Sequence, residues 1–228
     1  SPGSFEEELI PFMEKKGLIN DIDFSFVYNP YFVALGNVFK NLESPDYILL
    51  GYSSNQALNK IKIIYRKIYK KPILKPMSLK EAVLVKLLVN CYITSKISFT
   101  NFVKKLTDKN GLISAEVVLE AIGSDKRIGN YYFKQGGPFS GPCFPRDNFA
   151  LINFCKSMNL NHLIPKTTNE INFSTYLDMF NILKFIKRNK FKKIGFIGIS
   201  YKPNTDDLTE SVALKLMQKS KKLGMQVF

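Results

Sequence analysis

The chain has 228 residues, and 33 Lys and Arg against 19 Asp and Glu give it a formal net charge of +14. Its hydrophobic content of 45% excludes an intrinsically disordered chain, because this much apolar surface can be buried to offset chain entropy. Three cysteines without a Cys-x-x-Cys or Cys/His cluster exclude a disulfide scaffold and a structural zinc site, and they favour a reducing, cytoplasmic setting. The longest apolar run is too short and too polar to span a bilayer, and the acidic N-terminus does not resemble a signal peptide.

The first 70 residues predict a small α/β piece. Residues 6–16 have the pattern of a short amphipathic helix, and residues 23–28 and 46–52 are β-rich runs on either side of a turn at Asn29-Pro30-Tyr31. Residues 54–70 are again helical, and Pro72 and Pro76 then interrupt the pattern.

The central part of the chain is predicted to be mostly helical. The helices are expected at residues 78–107, 112–122, 146–158 and 169–189, and the last of them is long enough to connect two domains. Residues 125–145 are rich in Gly, Pro and aromatic side chains, which indicates an irregular loop of functional length.

The last stretch predicts the start of a parallel β-α-β unit. Residues 193–200 have the composition of a buried strand, and a polar turn at 202–207 follows. A helix is expected at 210–223, with Gly224 as its C-terminal cap, and the chain then opens a further strand.

The excess of basic residues has two interpretations. A Lys-, Asn- and Ile-rich composition also arises from an AT-rich genome, with lysines on solvated faces and no anionic partner. Alternatively, the charge attracts an anionic ligand such as a nucleotide or a phosphate. A nucleic-acid partner is not predicted, since only the net charge favours it and no recognised binding motif is present.

The helix at 78–107 is apolar nearly all round between residues 82 and 93, which predicts a buried helix. Its polar exceptions are Lys86, Asn90 and Thr94, which are spaced i, i+4 and i+8 and therefore share one face. Lys86 is either a lysine that reaches the domain surface or an ammonium that points into a polar site. In the second case Lys86 can stabilise negative charge that develops on an oxygen.

Cys143 lies in the segment Ser140-Gly141-Pro142-Cys143-Phe144-Pro145-Arg146-Asp147, at the turn into a helix, with Pro145 suited to the first helical position. The helix dipole and Arg146 favour the thiolate form of Cys143, which is the reactive form. Asp147 lies near the same helix start and can orient a water molecule or a side chain.

The other two cysteines and the C-terminal turn carry weaker signals. Cys91 and Cys155 lie on apolar helical stretches and are predicted to be core residues. The segment 201–207 follows the strand at 193–200, and a strand, a loop with Lys202 and a helix N-terminus together are a common phosphate site. Asp206 and Asp207 in that loop oppose an anion.

Together these stretches resemble one family, the nucleotide-sugar dehydrogenases of the UDP-glucose/GDP-mannose dehydrogenase family. Six segments match this family's motifs in the family's order and cover essentially the whole chain. They are Ser1-Pro2-Gly3-Ser4, Asn29-Pro30-Tyr31-Phe32-Val33-Ala34-Leu35-Gly36, Lys86-x-x-x-Asn90 with Ser95-Lys96-Ile97-Ser98-Phe99, Asp125-Lys126-Arg127-Ile128-Gly129, Gly141-Pro142-Cys143-Phe144-Pro145-Arg146-Asp147, and Tyr201-Lys202-Pro203-Asn204-Thr205-Asp206-Asp207 with Glu210-Ser211.

The resemblance implies an α/β plus all-α fold in three parts. Residues 1–70 would be the tail of a Rossmann-like NAD domain, residues 71–190 a central helical dimerisation and catalytic domain, and residues 191–228 the start of a second Rossmann-like, UDP-binding domain. The chain is therefore expected to be a fragment that lacks most of the N-terminal NAD domain and the end of the C-terminal domain, and to be inactive alone. The partner expected for the whole protein is a second copy of itself, bound through the central helices.

The implied reaction is a four-electron oxidation that turns the primary alcohol of a UDP-hexose into a carboxylate, with NAD as the cofactor. Cys143 would attack the aldehyde as a thiolate, and a thiohemiacetal and then a thioester would form before water releases the acid. Lys86, helped by Asn90, would stabilise the oxyanion, and Asp147 would position water or act as a base. By analogy with the family, the acid product would feed polysaccharide synthesis.

The resemblance also assigns the binding residues. Arg127 would reach the substrate that is bound in the partner subunit. No metal site and no membrane contact are expected. The nucleotide-sugar site would comprise Tyr31, Phe32, Val33, Leu35, Arg127, Lys134, Phe139, Ser140, Tyr201 and Lys202, and the cofactor site Leu35, Cys143, Arg146 and Thr209.

Tyr31, Thr209 and the missing dinucleotide fingerprint favour an alternative function, a non-catalytic dimerisation module or degenerate paralogue. Tyr31 stands where the family usually has Glu, and a phenol cannot replace a carboxylate near neutral pH. Thr209 replaces the Arg before Glu-Ser, which removes one expected cofactor contact. Pro138 and Ser140 replace two loop glycines, which stiffens the loop.

Overall fold

A computed structural model describes residues 1–33 and 36–228 of the chain. The chain forms two compact units, Ser1–Val89 and Asn90–Phe228. The division between them falls inside the longest helix. The predicted boundaries near residues 70 and 190 remain predictions.

The first unit has a three-stranded sheet. A π-helical turn (Phe5–Leu9) runs into α1 (Ile10–Glu14), and the sheet strands are β1 (Val27–Tyr28), β2 (Ile48–Tyr52) and β3 (Leu74–Ser78). Their order is β1-β2-β3, with β1 antiparallel and β3 parallel to β2. Between the strands lie α2 (Val38–Glu43) and α3 (Asn55–Ile68), and α3 is the crossover that parallel strands require.

The core of this unit lies between β2 and α3. Ile48 and Leu50 of the strand pack with Leu58 and Tyr65 of the helix. Ser54 caps α3, because its hydroxyl accepts a hydrogen bond from the N–H of Ala57 at 3.2 Å. The predicted helices at 6–16 and 54–70 and the strand at 46–52 are therefore confirmed in type.

Two predictions for this unit were wrong. Residues 23–28 are paired in β1 only at Val27 and Tyr28, because the Asp23 carboxylate instead accepts the N–H of Ile19 at 2.7 Å and closes a turn. The strand β3 was missed, since its Pro76 was interpreted as a break. Proline is tolerated there because β3 is an edge strand.

The second unit is mostly helical. It begins within α4 (Leu79–Asn110) and continues with α5 (Ala115–Gly123), α6 (Phe144–Ser157) and α7 (Leu163–Arg188). The helix α7 packs against α6 and against α8 (Val212–Lys222). The strands β4 (Lys193–Ile194) and β5 (Gln226–Val227) flank α8 and pair in parallel, which confirms the predicted start of a β-α-β unit.

The helix α4 holds the second unit together through polar side chains. Thr94 and Ser98 are fully buried, and Ser98 donates to the carbonyl of Thr168 on α7 at 2.9 Å. By length and composition alone α4 could also cross a membrane. The buried, hydrogen-bonded polar face is what a core helix needs, since unpaired polar groups would be costly there.

Three predictions for the second unit need correction. The segment 82–93 is not buried all round, because Leu88 and Tyr92 are exposed. The helix α7 begins at Leu163, six residues early, because Pro165 lies in its first turn, where its missing N–H has no cost. Residues 193–200 form only a two-residue strand, and Ile197 is fully exposed.

Beyond β4 the Phe196 N–H still donates to the Phe228 carbonyl at 2.9 Å, and Gly198 then has a left-handed φ of +79°. Among the described residues β4 pairs with β5 alone, so the sheet lacks further neighbours that would cover its apolar side chains.

Candidate active site around Cys143

Cys143 lies at the N-cap position of α6, and its side chain is exposed. Its carbonyl accepts the N–H of Asp147 at 2.9 Å, which opens the helix. Pro145 lies in the first helical turn, one residue later than predicted, where it removes an N–H that the helix cannot satisfy. The thiol therefore stands at the positive end of a helix dipole.

Arg146 and Asp147 follow directly and pair with each other. The Nε of Arg146 donates to Oδ1 of Asp147 at 3.0 Å. This hydrogen bond and the charge of Asp147 raise the pKa of Arg146 above its ordinary value, and Cys143 contributes less in the same direction. Arg146 therefore forms an ion pair with the carboxylate that follows it in the chain.

The structure brings Asn90 and Asp147 together, although 57 residues separate them in the chain. The Nδ2 of Asn90 donates to Oδ2 of Asp147 at 2.6 Å. Both residues are buried, at 9% and 7% exposed, so the carboxylate has a fixed place under the N-terminus of α6.

Two further residues hold α6 on α4, and Cys91 lies beside them. The fully buried Asn148 donates to Thr94 Oγ1 at 2.9 Å and to the carbonyl of Phe144 at 3.2 Å. Asn148 was not predicted, because an amide inside an amphipathic helix carries no distinctive signal. Cys91 is buried as predicted, and its pKa is raised to about 12, mainly by desolvation.

Lys86 lies one turn before Asn90 on α4 and has two contacts within the first unit. Its Nζ donates to the carbonyl of Tyr31 at 2.7 Å and lies 4.7 Å from the centre of the Phe32 ring. The Phe32 ring also packs against Tyr47, with 5.2 Å between centroids. Among the described residues the ammonium therefore meets a carbonyl and an aromatic face.

The predicted binding segment at 31–35 borders a small cavity of about 90 Å³ in the first unit, lined in part by Tyr31, Phe32 and Val33. Burial and the Tyr31 hydroxyl raise the pKa of Tyr65 above its ordinary value, so the Tyr31 hydroxyl faces another phenol. Leu35 lies outside the described residues.

The loop between α5 and α6 is irregular, as predicted. Arg127 forms an exposed ion pair with Asp125 at 2.6 Å, which lowers the pKa of Asp125. Farther along, side chains of α4 hold the loop backbone. Thr100 donates to the carbonyl of Lys134 at 3.2 Å, and Asn101 donates to that of Gly137 at the same distance.

Tyr201 lies against the Cys143 loop. A Cβ added to Gly141 would stand 2.6 Å from the Tyr201 ring, so only glycine fits there. Burial raises the pKa of Tyr201, and Asp207, Cys143 and Tyr132 add to the shift.

Lys202 and Thr209, which are predicted to bind nucleotide and cofactor, follow Tyr201 in the chain. Burial lowers the pKa of Lys202. Thr209 donates its backbone N–H to Asp207 Oδ1 at 2.7 Å and lies on the surface. No group of three or more potential metal ligands occurs in the described ranges 1–33 and 36–228.

Comparisons with known proteins show which family this chain is similar to. The model of the UDP-glucose/GDP-mannose dehydrogenase family, central domain, matches residues 80–174. A putative UDP-glucose 6-dehydrogenase YtcA of Bacillus subtilis is 32% identical over 208 residues, which are 90% of this chain and 48% of that protein. The UDP-glucose 6-dehydrogenase AglM of Haloferax volcanii is 30% identical over 83% of this chain and 45% of that protein.

Solved structures show the same likeness. A UDP-glucose dehydrogenase from Pyrobaculum islandicum superposes with a TM-score of 0.89 at 31% identity, and the match covers 99% of this chain and 51% of that one. A UDP-D-ManNAc dehydrogenase from Pyrococcus horikoshii gives a TM-score of 0.85 at 23% identity, with 99% of this chain and 53% of that one covered, which supports the fold alone.

The fold and the sequence are therefore those of the nucleotide-sugar dehydrogenases, and the predicted mixed α/β and helical class is confirmed. The resemblance to the UDP-glucose/GDP-mannose dehydrogenase family is confirmed, and residues 80–174 are the region of its central domain. Members of this family are NAD-dependent, in agreement with the predicted cofactor. The chain spans about half the length of the curated relatives it matches.

Proposed function

We propose that this chain carries the catalytic cysteine of an NAD-dependent dehydrogenase that oxidises a UDP-hexose to the corresponding acid. One observation carries the proposal. An exposed thiol, Cys143, begins a helix whose first turn also places a buried carboxylate, Asp147, on the amide of Asn90. A nucleophile and a fixed carboxylate at one helix start are what covalent oxidation of an aldehyde requires.

The proposed chemistry uses Cys143 as the nucleophile. Its thiolate adds to the aldehyde carbon, so that a C–S bond forms and the carbonyl oxygen takes the negative charge. Loss of hydride from the thiohemiacetal gives a thioester, and water cleaves the C–S bond to release the carboxylate and the thiol. NAD⁺, when bound, accepts one hydride in each of the two oxidations.

Charge placement supports roles for the neighbouring groups. Cys143 stands at the N-terminus of α6 and directly before the helical turn that carries Arg146, and the exposed cation Arg146 fits a negatively charged cofactor. Asp147 is held by Asn90 and Arg146, so its carboxylate can orient the hydrolytic water without moving. Lys86 is assigned to the oxyanion by its spacing of one helical turn from Asn90.

The substrate side of the proposal rests on the loop before Cys143 and on Tyr201. The loop backbone at Lys134, Gly137 and Phe139 is fixed by side chains of α4 and α7. A prearranged backbone with an adjoining aromatic ring suits a nucleotide sugar, because little ordering is left to the binding step. Lys202, which follows Tyr201 in the same turn, is the cation that we assign to the diphosphate.

We also propose that the whole protein is a homodimer in the cytoplasm, with α4 in the interface. In the second unit α4 exposes an apolar stripe of Tyr92, Phe99, Phe102 and Leu106. Such a stripe along one face of a long helix is typical of an association surface. A dimer of this kind would allow Arg127 to reach the partner's substrate.

The proposal is tested by NADH formation. The protein expressed from its complete native reading frame is mixed with NAD⁺ and a panel of UDP- and GDP-sugars, and NADH and acid product are measured. We expect both with at least one UDP-sugar, their loss in Cys143→Ser, and their retention in Cys155→Ser. No NADH with any of these sugars would instead favour a non-catalytic dimerisation module, which is the function that Tyr31 and Thr209 favour.

A further inference from the structure

The backbone of Phe139 needs hydrogen-bond partners that secondary structure does not supply. Residues 124–143, all of which the structure describes, form neither helix nor strand. Yet Pro138 and Phe139 are buried, and Phe139 is only 7% exposed. A buried N–H or carbonyl without a partner would destabilise the loop, so a partner has to come from elsewhere.

That partner is the side chain of Asn172 on α7. The N–H of Phe139 donates to Oδ1 of Asn172 at 2.7 Å, and Nδ2 of Asn172 donates to the Phe139 carbonyl at 3.0 Å. One carboxamide thus pairs with both backbone groups of one residue, as a neighbouring residue does in an antiparallel ladder. Because Asn172 lies in the interior of a 26-residue helix, the pairing ties the loop to a rigid element.

The two hydrogen bonds between Asn172 and Phe139 lie close in the chain to the Cys143 thiol. Phe139 precedes Cys143 by four residues, and its ring packs edge-on against Phe144, the residue after Cys143, with 6.3 Å between centroids. Between them Gly141 rests against the Tyr201 ring. The short segment from Phe139 to Phe144 is therefore fixed at both ends and at its middle.

We propose that Asn172 is a positioning residue for Cys143, which acts through the backbone of Phe139. Without its carboxamide the loop loses both hydrogen bonds at one point, and Cys143 is no longer held in its place at the N-terminus of α6. The consequence for catalysis rests on the proposed function, but the placement of the thiol does not.

The first test is amide hydrogen exchange at Phe139 in the 228-residue chain. In Asn172→Leu, which has a similar size and no polar atoms, we expect exchange at this amide to be faster by about tenfold or more. Asn172→Asp keeps an acceptor for the N–H, so it should retain most of the protection. Asn169→Ala is the matched control, because Asn169 lies one turn earlier on α7 and, like Asn172, lines the cavity beside Phe139, while its Nδ2 has no partner among the described residues. Its exchange at Phe139 should equal that of the unchanged chain.

The second test is the rate at which iodoacetamide alkylates Cys143, followed on the peptide that contains it. We expect about threefold slower alkylation or more in Asn172→Leu, because the sulfur loses its fixed place at the N-terminus of α6, and an unchanged rate in Asn169→Ala. If Asn172→Leu does not fold, Asn172→Asp decides, since it loses the bond to the carbonyl alone and should give a smaller slowing.

Unchanged exchange at Phe139 in folded Asn172→Leu, or unchanged alkylation of Cys143 in either folded Asn172 variant, would overturn the assignment. Neither measurement needs NAD⁺ or a sugar. A protein that shows both effects but no turnover would therefore contradict the proposed function and leave the role of Asn172 intact.

Discussion

Removal of the Asn90 amide probes the buried pair beneath Cys143. In Asn90→Ala the Oδ2 of Asp147 loses the hydrogen bond that it accepts at 2.6 Å, and the carboxylate stays buried with Arg146 as its remaining charged partner. Because both residues are less than a tenth exposed, water does not replace the lost donor. We expect the free energy of unfolding to fall by about 2–3 kcal/mol, which corresponds to a midpoint lower by about 5–10 °C.

Urea unfolding of the single and double variants measures this directly. Asn90→Ala, Asp147→Ala and the double variant form a double-mutant cycle. The cycle separates the interaction between the two side chains from the effect of the space that each truncation leaves, and we expect a coupling energy of about 2 kcal/mol. Asn110→Ala, at the exposed end of the same helix, should change stability by less than about 0.5 kcal/mol. A coupling below about 0.5 kcal/mol would refute the reasoning, because the carboxylate would then have no need of the amide.

Three further predictions concern the apolar stripe, a buried thiol and the loop arginine. Phe102→Glu should convert a dimer into a monomer in light scattering, whereas Leu112→Glu, on an exposed turn, should leave the mass unchanged; a dimer that survives Phe102→Glu excludes this face as the interface. Burial raises the pKa of Cys91 to about 12, so the folded chain keeps this proton at pH values where the unfolded chain releases it. Stability should therefore fall as the pH rises from about 9 towards about 12, and the fall should be shallower in Cys91→Ala; equal slopes would show that Cys91 ionises alike in both states. Arg127→Ala and Cys143→Ser should each be inactive alone. When the two variants are mixed and exchange subunits, about half of the dimers contain one of each and have one complete site of two, so about a quarter of the activity should return. No recovery after verified subunit exchange would place Arg127 in its own subunit's site.

Helices were predictable from the sequence wherever the apolar spacing agreed with the capping and helix-breaking residues. The bounds of α3, α6 and α8 follow from caps and apolar spacing, because both act locally. The exceptions are informative. Pro76 was interpreted as a break, and α7 was expected to begin only at residue 169, yet an edge strand tolerates Pro76 and a first helical turn tolerates Pro165.

The candidate site was predictable only in part. Cys143 and Asp147 stand out because Gly and Pro frame them, and Asn90 stands out on an apolar helix. Asn172 could not be found, because its role depends on a pairing across 33 residues with a loop whose path only tertiary structure defines.

The surroundings of Lys86 were hidden for the same reason. Its contacts with the Tyr31 carbonyl and the Phe32 ring join segments that lie 55 and 54 residues away in the chain. Spacing along a helix can place a lysine on a face, but it does not identify the groups that meet the ammonium there.

The covalent intermediate on Cys143 tests the central claim most directly. The protein from the complete native reading frame is mixed with NAD⁺ and the UDP-sugar that gives NADH, quenched in acid during turnover, and digested for mass spectrometry. The account predicts that the peptide between Lys134 and Arg146 gains the mass of the acylated nucleotide sugar at Cys143, with two NADH formed for each acid released. Turnover with no adduct on Cys143, or with the adduct on Cys91 or Cys155, would contradict it.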